Sequence, residues 1–141
     1  MGFYVISTTT REQSERLINM GLKIETADCL IDEKGKTYFL PPGTDVLKTM
    51  EEKKGYPSWT LDKLCYIFPK EISLNTEELN NLNEEAARRR ISVHFKKHAR
   101  NIQVFGQAEG CVFLFEKFKE LGYIDKEYLN ENQQLCEESY K

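Results

Sequence analysis

Residues 108–123 read AEGCVFLFEKFKELGY, and this stretch predicts the central helix of the protein. Its apolar side chains recur at helical spacing, so they share one face. Gly122 follows the last of them, in the position of a residue that ends a helix in the left-handed conformation, and Tyr123 then falls where it can contact Phe118. We expect the helix to pack on the rest of the chain through Cys111, Leu114, Phe115, Phe118 and Leu121.

Two other main helices have recognisable ends. Thr10 and Gln13 have the spacing of a capping box, in which each side chain bonds a free backbone N–H of the other residue, and Gly21 is placed to end that helix. Ser58 is the predicted cap of a second helix, which Pro69 stops. Its apolar stripe is Leu61, Leu64, Cys65 and Phe68. Weaker patterns predict a short helix within 44–54 and a polar helix within 75–90.

Strand signals occupy the intervals between these helices. Residues 29–31 (CLI) and 37–40 (TYFL) flank DEKGK, which is typical of a hairpin with Gly35 at a positive φ. Residues 91–95 alternate between apolar and polar, and a second short run at 102–104 predicts another hairpin. The sequence therefore predicts an α+β fold, a single small domain of antiparallel β-hairpins packed against three main helices. This domain spans 1–124, and 125–141 form an acidic, weakly ordered C-terminal tail.

The composition of the chain argues against several classes of protein. The chain has 141 residues and a net charge of -3, which argues against general attraction to nucleic acid or anionic lipid. It has no apolar run near the roughly 20 residues of a membrane-spanning helix, and no signal sequence is recognisable at its start. We therefore expect no membrane contact and a cytoplasmic location. The four scattered cysteines form no CxxC motif and are expected to be buried free thiols: Cys29, Cys65, Cys111 and Cys136.

The most function-like segment is RRRISVHFKKHAR, residues 88–100, which carries six permanent positive charges and no carboxylate. On a hairpin these charges are suited to following phosphates. The candidate nucleic-acid-binding residues are Arg88, Arg89, Arg90, His94, Lys96, Lys97, His98 and Arg100. The competing interpretation is a solvated strand edge whose arginines are neutralised by nearby glutamates. Ion pairing of the arginines with glutamates would favour that second interpretation.

Other chemistry has little support in the sequence. His94 and His98 have the spacing of a helical metal site, but the alternating pattern around them indicates a strand, so we predict no metal site. No catalytic motif or cofactor-binding loop is recognisable, and we predict no catalytic residue and no cofactor. Tyr56 and Trp59 are candidate interaction residues if their rings are exposed. The alternative for Trp59 is packing at the edge of the core.

Four segments together carry a resemblance: QSERLINMGL (13–22), TADCLI (26–31), PSWTLDKLCYIFP (57–69) and LGYI (121–124). In these segments the chain resembles a group of uncharacterised small proteins carried by phages and mobile elements of gut bacteria. Residues 75–90 depart from the pattern. The resemblance implies an accessory protein of such an element, and it implies no activity, cofactor or site residue.

These observations together predict a non-catalytic protein-interaction protein that is not an enzyme, with an unknown protein as its partner. The alternative is a nucleic-acid-binding module that uses the basic hairpin at 88–100.

Overall fold

A computed structural model describes residues 7–69, 74–94, 103–105 and 108–130. Within these residues the protein has five α-helices and two antiparallel sheets. The α-helices are α1 (Arg11–Asn19), α2 (Val46–Lys53), α3 (Leu61–Ile67), α4 (Thr76–Arg88) and α5 (Ala108–Glu120). The strands are β1 (Cys29–Ile31), β2 (Thr37–Phe39), β3 (Tyr56–Ser58), β4 (Ser92–His94) and β5 (Gln103–Phe105). Short 3-10 helices lie at Ile24–Thr26 and Lys126–Tyr128. The prediction of a single α+β domain is confirmed.

Both predicted antiparallel strand pairings are present. β1 pairs with β2 across a turn in which Gly35 has a φ of 83°, and β4 pairs with β5. A third strand, β3, joins the other side of β1, so the larger sheet has the order β2-β1-β3. Within the described residues β2 is therefore an edge strand, and one side of its backbone faces away from the sheet.

The predicted start of α3 is wrong, because β3 occupies that part of the chain. Ser58 belongs to this strand, and its hydroxyl donates to the backbone carbonyl of Thr9 at 2.7 Å, so it does not cap the helix. The N-cap is Thr60, whose hydroxyl oxygen accepts from the backbone N–H of Lys63 at 3.1 Å. Pro57 is compatible with the strand because it pairs with Leu30 at a position where no ladder hydrogen bond is required.

The start of α1 follows the predicted capping box. Gln13 donates its backbone N–H to Thr10, and the Gln13 side chain accepts the backbone N–H of Thr10. The neighbouring Thr9 has a tertiary role instead. Its hydroxyl oxygen accepts the backbone N–H of Trp59 at 3.0 Å and lies 2.8 Å from the Ser14 hydroxyl, so it ties the start of α1 to the end of β3.

Two helices end with the same backbone motif, as the glycines predict. Gly21 and Gly122 have φ values of 98° and 80°. The N–H after each glycine bonds back into the last turn, Leu22 to Leu17 at 3.1 Å and Tyr123 to Phe118 at 2.8 Å. These are the hydrogen bonds of a Schellman ending.

α5 is the central helix of the core. It is buried on every side along most of its length, since Val112 and Phe113 are fully buried in addition to the predicted face. Leu121 was predicted on that face, but it lies after the helix and 43% of its surface is exposed. Polar contacts fix neighbouring helices to α5: Gln13 and Arg16 of α1 bond Glu109, and Lys117 bonds Glu85 of α4 at 2.7 Å.

The beginning of the predicted tail contacts the domain. Lys23 donates its N–H to the carbonyl of Tyr128 at 2.9 Å, and Asn130 donates to the carbonyl of Gly21 at 2.8 Å. Leu129 is buried in the core. Residues 131–141 lie outside the described residues. In the part of the chain that the structure describes, no helix has the length and apolar character needed to cross a membrane.

Candidate functional site

An open surface depression lies between β2 and α3. Its volume is about 510 Å³, and it is lined by Asp28, Phe39, Thr60, Asp62, Lys63 and Tyr66. Two of these residues are large aromatic side chains that extend into solvent: Phe39 is 56% exposed and Tyr66 is 64% exposed. We call this surface the Phe39–Tyr66 depression.

The floor of the depression is held by a carboxylate and a helix cap. Asp28 accepts the backbone N–H of Thr60 at 2.8 Å and its hydroxyl at 2.6 Å. Thr60 is at the same time the N-cap of α3, so one residue joins the residue before β1 to the start of the helix. Leu40, directly after β2, donates its N–H to the Asp28 carbonyl at 2.9 Å, so Asp28 links the strand that carries Phe39 to the helix that carries Tyr66.

On the side of β2 that faces away from β1, backbone N–H and C=O groups have no partner strand within the described residues. Leu40 donates its N–H to the carbonyl of Asp28, and Asp32 donates to Lys36, which sets the alternation of the ladder. With the recorded register, Leu30–Tyr38 is a hydrogen-bonded pair and Cys29–Phe39 is not. The N–H and C=O groups of Thr37 and Phe39 therefore point away from β1, toward the outer edge of the sheet.

A second depression lies on the other side of Tyr66. It has a volume of about 670 Å³, and its lining includes Tyr123 and Tyr128 next to the end of α3. Burial and a hydrogen bond to the Glu127 carboxylate raise the pKa of Tyr128 to about 12, so its hydroxyl stays protonated at neutral pH. Tyr66 thus stands between two concave surfaces, both with aromatic lining.

The basic residues that the sequence singled out are partly neutralised. Arg88 forms an ion pair with Glu84 at 3.8 Å, and Arg89 pairs with Glu116 at 3.9 Å. The guanidinium of Arg89 also lies over the ring of Phe113, 5.0 Å from its centroid. Arg90 follows α4 with a φ of 57°. Pairing with glutamates is the observation that favours a solvated surface over a phosphate-binding one.

The rest of the basic segment is described only in small part. His94 lies in β4, opposite Gln103. The predicted residues Lys96, Lys97, His98 and Arg100 lie outside the described residues. Over the ranges that are described, no group of three or more His, Cys, Asp or Glu side chains is arranged to hold a metal ion.

The two aromatic candidates have different environments. Trp59 is fully buried, and its indole N–H donates to the Thr26 hydroxyl at 2.9 Å. Trp59 therefore lacks the exposed ring that an interaction residue needs, and the structure shows the alternative, packing against the core. Tyr56 is partly exposed at the start of β3, and the guanidinium of Arg11 lies 4.7 Å from the centroid of its ring.

Sequence reasoning missed Phe39 and Tyr66, although a signal for each was present. Pairing of the two apolar runs places Tyr38 beside Leu30, and side-chain alternation then turns Phe39 to the other face. Tyr66 falls outside the apolar stripe of α3 and is therefore exposed. The stripe itself needs one correction: Cys65, predicted as a buried thiol, is exposed, and Ile67 is buried instead.

Comparisons of the chain with protein-family models, with curated proteins and with solved structures found no match.

Proposed function

We propose that this protein binds a partner protein without catalysing a reaction, and that an extended segment of the partner pairs with the outer edge of β2. The observation that carries this proposal is Phe39. Its ring is more than half exposed at the Phe39–Tyr66 depression, and its backbone N–H and C=O groups point out of the sheet.

The exposed aromatic rings supply the apolar part of the contact. Large aromatic side chains dominate the energetics of protein interfaces because they bury much surface at a small cost in side-chain entropy. Phe39 and Tyr66 border one concave surface, so both rings are open to the same partner segment. A surface of this kind, with apolar rings around a few polar groups, is typical of interaction sites.

The outer edge of β2 supplies the directional part of the contact, which is backbone hydrogen bonding to the partner segment. An edge strand with unpaired backbone groups is a template for another strand, and proteins usually blunt such edges with charge, proline or a covering element. At the end of β2 the exposed residue is Phe39, not a charged residue. β2 is short, so backbone pairing offers only a few hydrogen bonds and the aromatic contacts must add affinity.

The charges around the depression indicate the chemistry of the partner segment. Asp62 is exposed in the first turn of α3, while the ammonium of Lys63 lies 5.3 Å from the centroid of the Tyr66 ring. Asp28 adds a second carboxylate at the floor. We infer that the partner segment is extended, with an apolar side chain between the two rings and a basic side chain near Asp62.

The test is a selection from a displayed library of random peptides against the full chain, followed by affinity measurements on the variants Phe39→Ser and Tyr66→Ser. We expect enriched peptides with an apolar and a basic residue, and a loss of affinity of about 30-fold in either variant. Leu47→Ser is the matched control, because Leu47 is a similarly exposed apolar residue (49%) on α2. Equal affinity for all three variants, or no enrichment, contradicts the proposal.

The nucleic-acid alternative has less support, because Arg88 and Arg89 both have glutamate partners. Fluorescence anisotropy with labelled oligonucleotides separates the two functions. Phosphate contacts would give affinity that falls steeply with salt concentration. Binding through the Phe39–Tyr66 depression predicts no affinity for oligonucleotides at micromolar protein. The role of an accessory protein of a phage or mobile element stays a prediction based on the resemblance alone.

A further inference from the structure

The second depression, next to the end of α3, has a lining that is both aromatic and acidic. Its volume of about 670 Å³ lies in the range of small-molecule sites, which is about 300–1,000 Å³. Three tyrosines and two carboxylates are among the residues that line it: Tyr66, Tyr123, Tyr128, Asp125 and Glu127. Of these only Tyr66 also lines the Phe39–Tyr66 depression, so most of this surface has no part in the proposed partner binding.

The fold holds two of the three tyrosines in place. Tyr123 and Tyr128 are partly buried and pack against the hydrophobic core. The N–H of Tyr123 bonds the carbonyl of Phe118 at 2.8 Å, and the carbonyl of Tyr128 accepts the N–H of Lys23 at 2.9 Å. Tyr66 is the exposed tyrosine of the three. A ligand in the depression therefore meets two aromatic residues whose positions are set by contacts within the chain.

The acidic part of the lining is a short segment after α5. Asp125 is the N-cap of the 3-10 helix at Lys126–Tyr128, and its carboxylate accepts the backbone N–H of Glu127 at 3.1 Å. Both acidic residues are exposed, and among the described residues neither has a lysine or arginine as an ion-pair partner. Lys126 is the basic residue of the described lining, so two carboxylates and one ammonium give it a net charge of -1.

The carbonyl end of α5 adds to this negative potential. The last residue of the helix is Glu120, and residues 122–124, which follow closely, line the depression. The C-terminal end of an α-helix carries a partial negative charge of roughly one half, which favours cations nearby. The two lysines in the last turn of α5, Lys117 and Lys119, are not among the described residues that line the depression.

We propose that the second depression binds an organic cation through an alkylammonium group. An ammonium near the face of an aromatic ring is attracted by the ring, and groups of aromatic side chains recognise quaternary ammonium ligands in this way. One contact of this kind is present at the border of the depression. The ammonium of Lys63, which lines the Phe39–Tyr66 depression and not the second one, lies 5.3 Å from the centroid of the Tyr66 ring.

The same features argue against other classes of ligand. The negative charge of the lining disfavours anions. Over the residues that the structure describes, no group of three or more His, Cys, Asp or Glu side chains is arranged to hold a metal ion. A neutral ligand of the same shape gains packing but lacks the attraction of the rings and carboxylates for positive charge. The site should therefore discriminate between a cation and its uncharged analogue.

The experiment titrates the full chain with choline and follows the backbone amide resonances by NMR. The control ligand is the uncharged alcohol in which a carbon atom replaces the nitrogen of choline. We expect saturable shifts within 122–128 with a dissociation constant on the order of 1 mM, and an affinity for the alcohol that is at least about tenfold lower. Equal affinity for the two ligands, or no saturable shift in this segment, would overturn the proposal.

Substitutions of exposed residues separate the contributions of ring and charge. Tyr66→Leu should weaken choline binding by about threefold or more, whereas Tyr66→Phe, which keeps the ring, should leave it unchanged. Glu127→Gln should weaken choline binding by about threefold, because it removes one carboxylate from the lining. Glu33→Gln, in the exposed turn between β1 and β2, is the matched control. Equal affinities in Tyr66→Leu and Tyr66→Phe would contradict recognition by the ring.

Phe39→Ser separates this site from the proposed partner binding. It should lower the affinity for selected peptides and leave choline binding unchanged, because Phe39 lines the first depression and not the second. Binding of peptides without binding of choline would overturn the cation site alone. Binding of choline without any peptide that binds would overturn the proposed function and leave the cation site in place.

Discussion

The carboxylate of Asp28 accepts two hydrogen bonds from Thr60, one from the backbone N–H at 2.8 Å and one from the hydroxyl at 2.6 Å. Asp28 directly precedes β1 and Thr60 is the N-cap of α3, so these two hydrogen bonds hold the start of the helix against the sheet. Both residues also line the Phe39–Tyr66 depression. Contacts within the chain therefore determine the shape of this surface, and no partner is needed to form it.

Asp28→Ala should lower the free energy of unfolding by about 1–3 kcal/mol, because it leaves the N–H and hydroxyl of the buried Thr60 without their acceptor. The measurement is a urea titration. Asp62→Ala is the matched control: it removes an exposed carboxylate from the same depression and should cost less than about 1 kcal/mol. Equal losses in the two variants would show that the Asp28–Thr60 pair has no special structural role.

Trp59, the single tryptophan of the chain, should report its burial in fluorescence. We expect native emission at shorter wavelength than in the unfolded chain and little quenching by iodide. Thr26→Val should lower the free energy of unfolding by about 1 kcal/mol, since the indole N–H loses its acceptor. Emission and quenching equal to those of an exposed indole would contradict the position of Trp59 in the core.

Phe115 tests the central place of α5. Its side chain is fully buried, and Phe115→Ala should lower the free energy of unfolding by about 3–5 kcal/mol through lost burial and the cavity that is left. Leu121→Ala, at a position that is largely exposed, should cost less than about 1 kcal/mol. Chemical denaturation of both variants measures the difference. Similar losses of unfolding free energy in Phe115→Ala and Leu121→Ala would contradict the position of Phe115 in the core.

Glu109 makes part of the stability depend on pH. Burial raises its pKa, but the hydrogen bonds from Arg16 and Gln13 outweigh burial, and the pKa lies below its usual value of 4.5. Because the folded-state pKa is depressed, the stabilisation is complete above pH 4.5 and is lost as the pH falls through the lower folded-state pKa.

Glu109→Gln should therefore flatten the acid side of a plot of unfolding free energy against pH. Glu33→Gln, in the exposed turn between β1 and β2, is the matched control for the loss of one carboxylate. Urea titrations between neutral pH and the acid transition give the comparison. An acid limb that keeps its full slope in Glu109→Gln would contradict the contribution of this contact.

The features that the sequence predicted correctly are those determined by neighbouring residues. The capping box at Thr10 and the left-handed conformation at Gly21 depend on backbone groups within a few positions, so their signals are complete in the local sequence. The first hairpin depends on a short turn containing Gly35 and is local in the same sense.

The features that were missed depend on pairing between distant segments. β3 contains Pro57, which argues against a strand unless the residue lies at a sheet edge where its missing N–H is not needed. Ser58 looks like a helix cap until the distant Thr9 takes its hydroxyl.

Hydrogen exchange at the edge of β2 tests the proposed binding mode most directly. The amides of Thr37 and Phe39 point outward, whereas Tyr38 already pairs with Leu30. With a selected peptide at saturating concentration, exchange of the Thr37 and Phe39 amides should slow by about tenfold or more, while exchange of the Tyr38 amide stays the same. Unchanged exchange at Thr37 and Phe39 while the peptide is bound would contradict strand pairing at this edge.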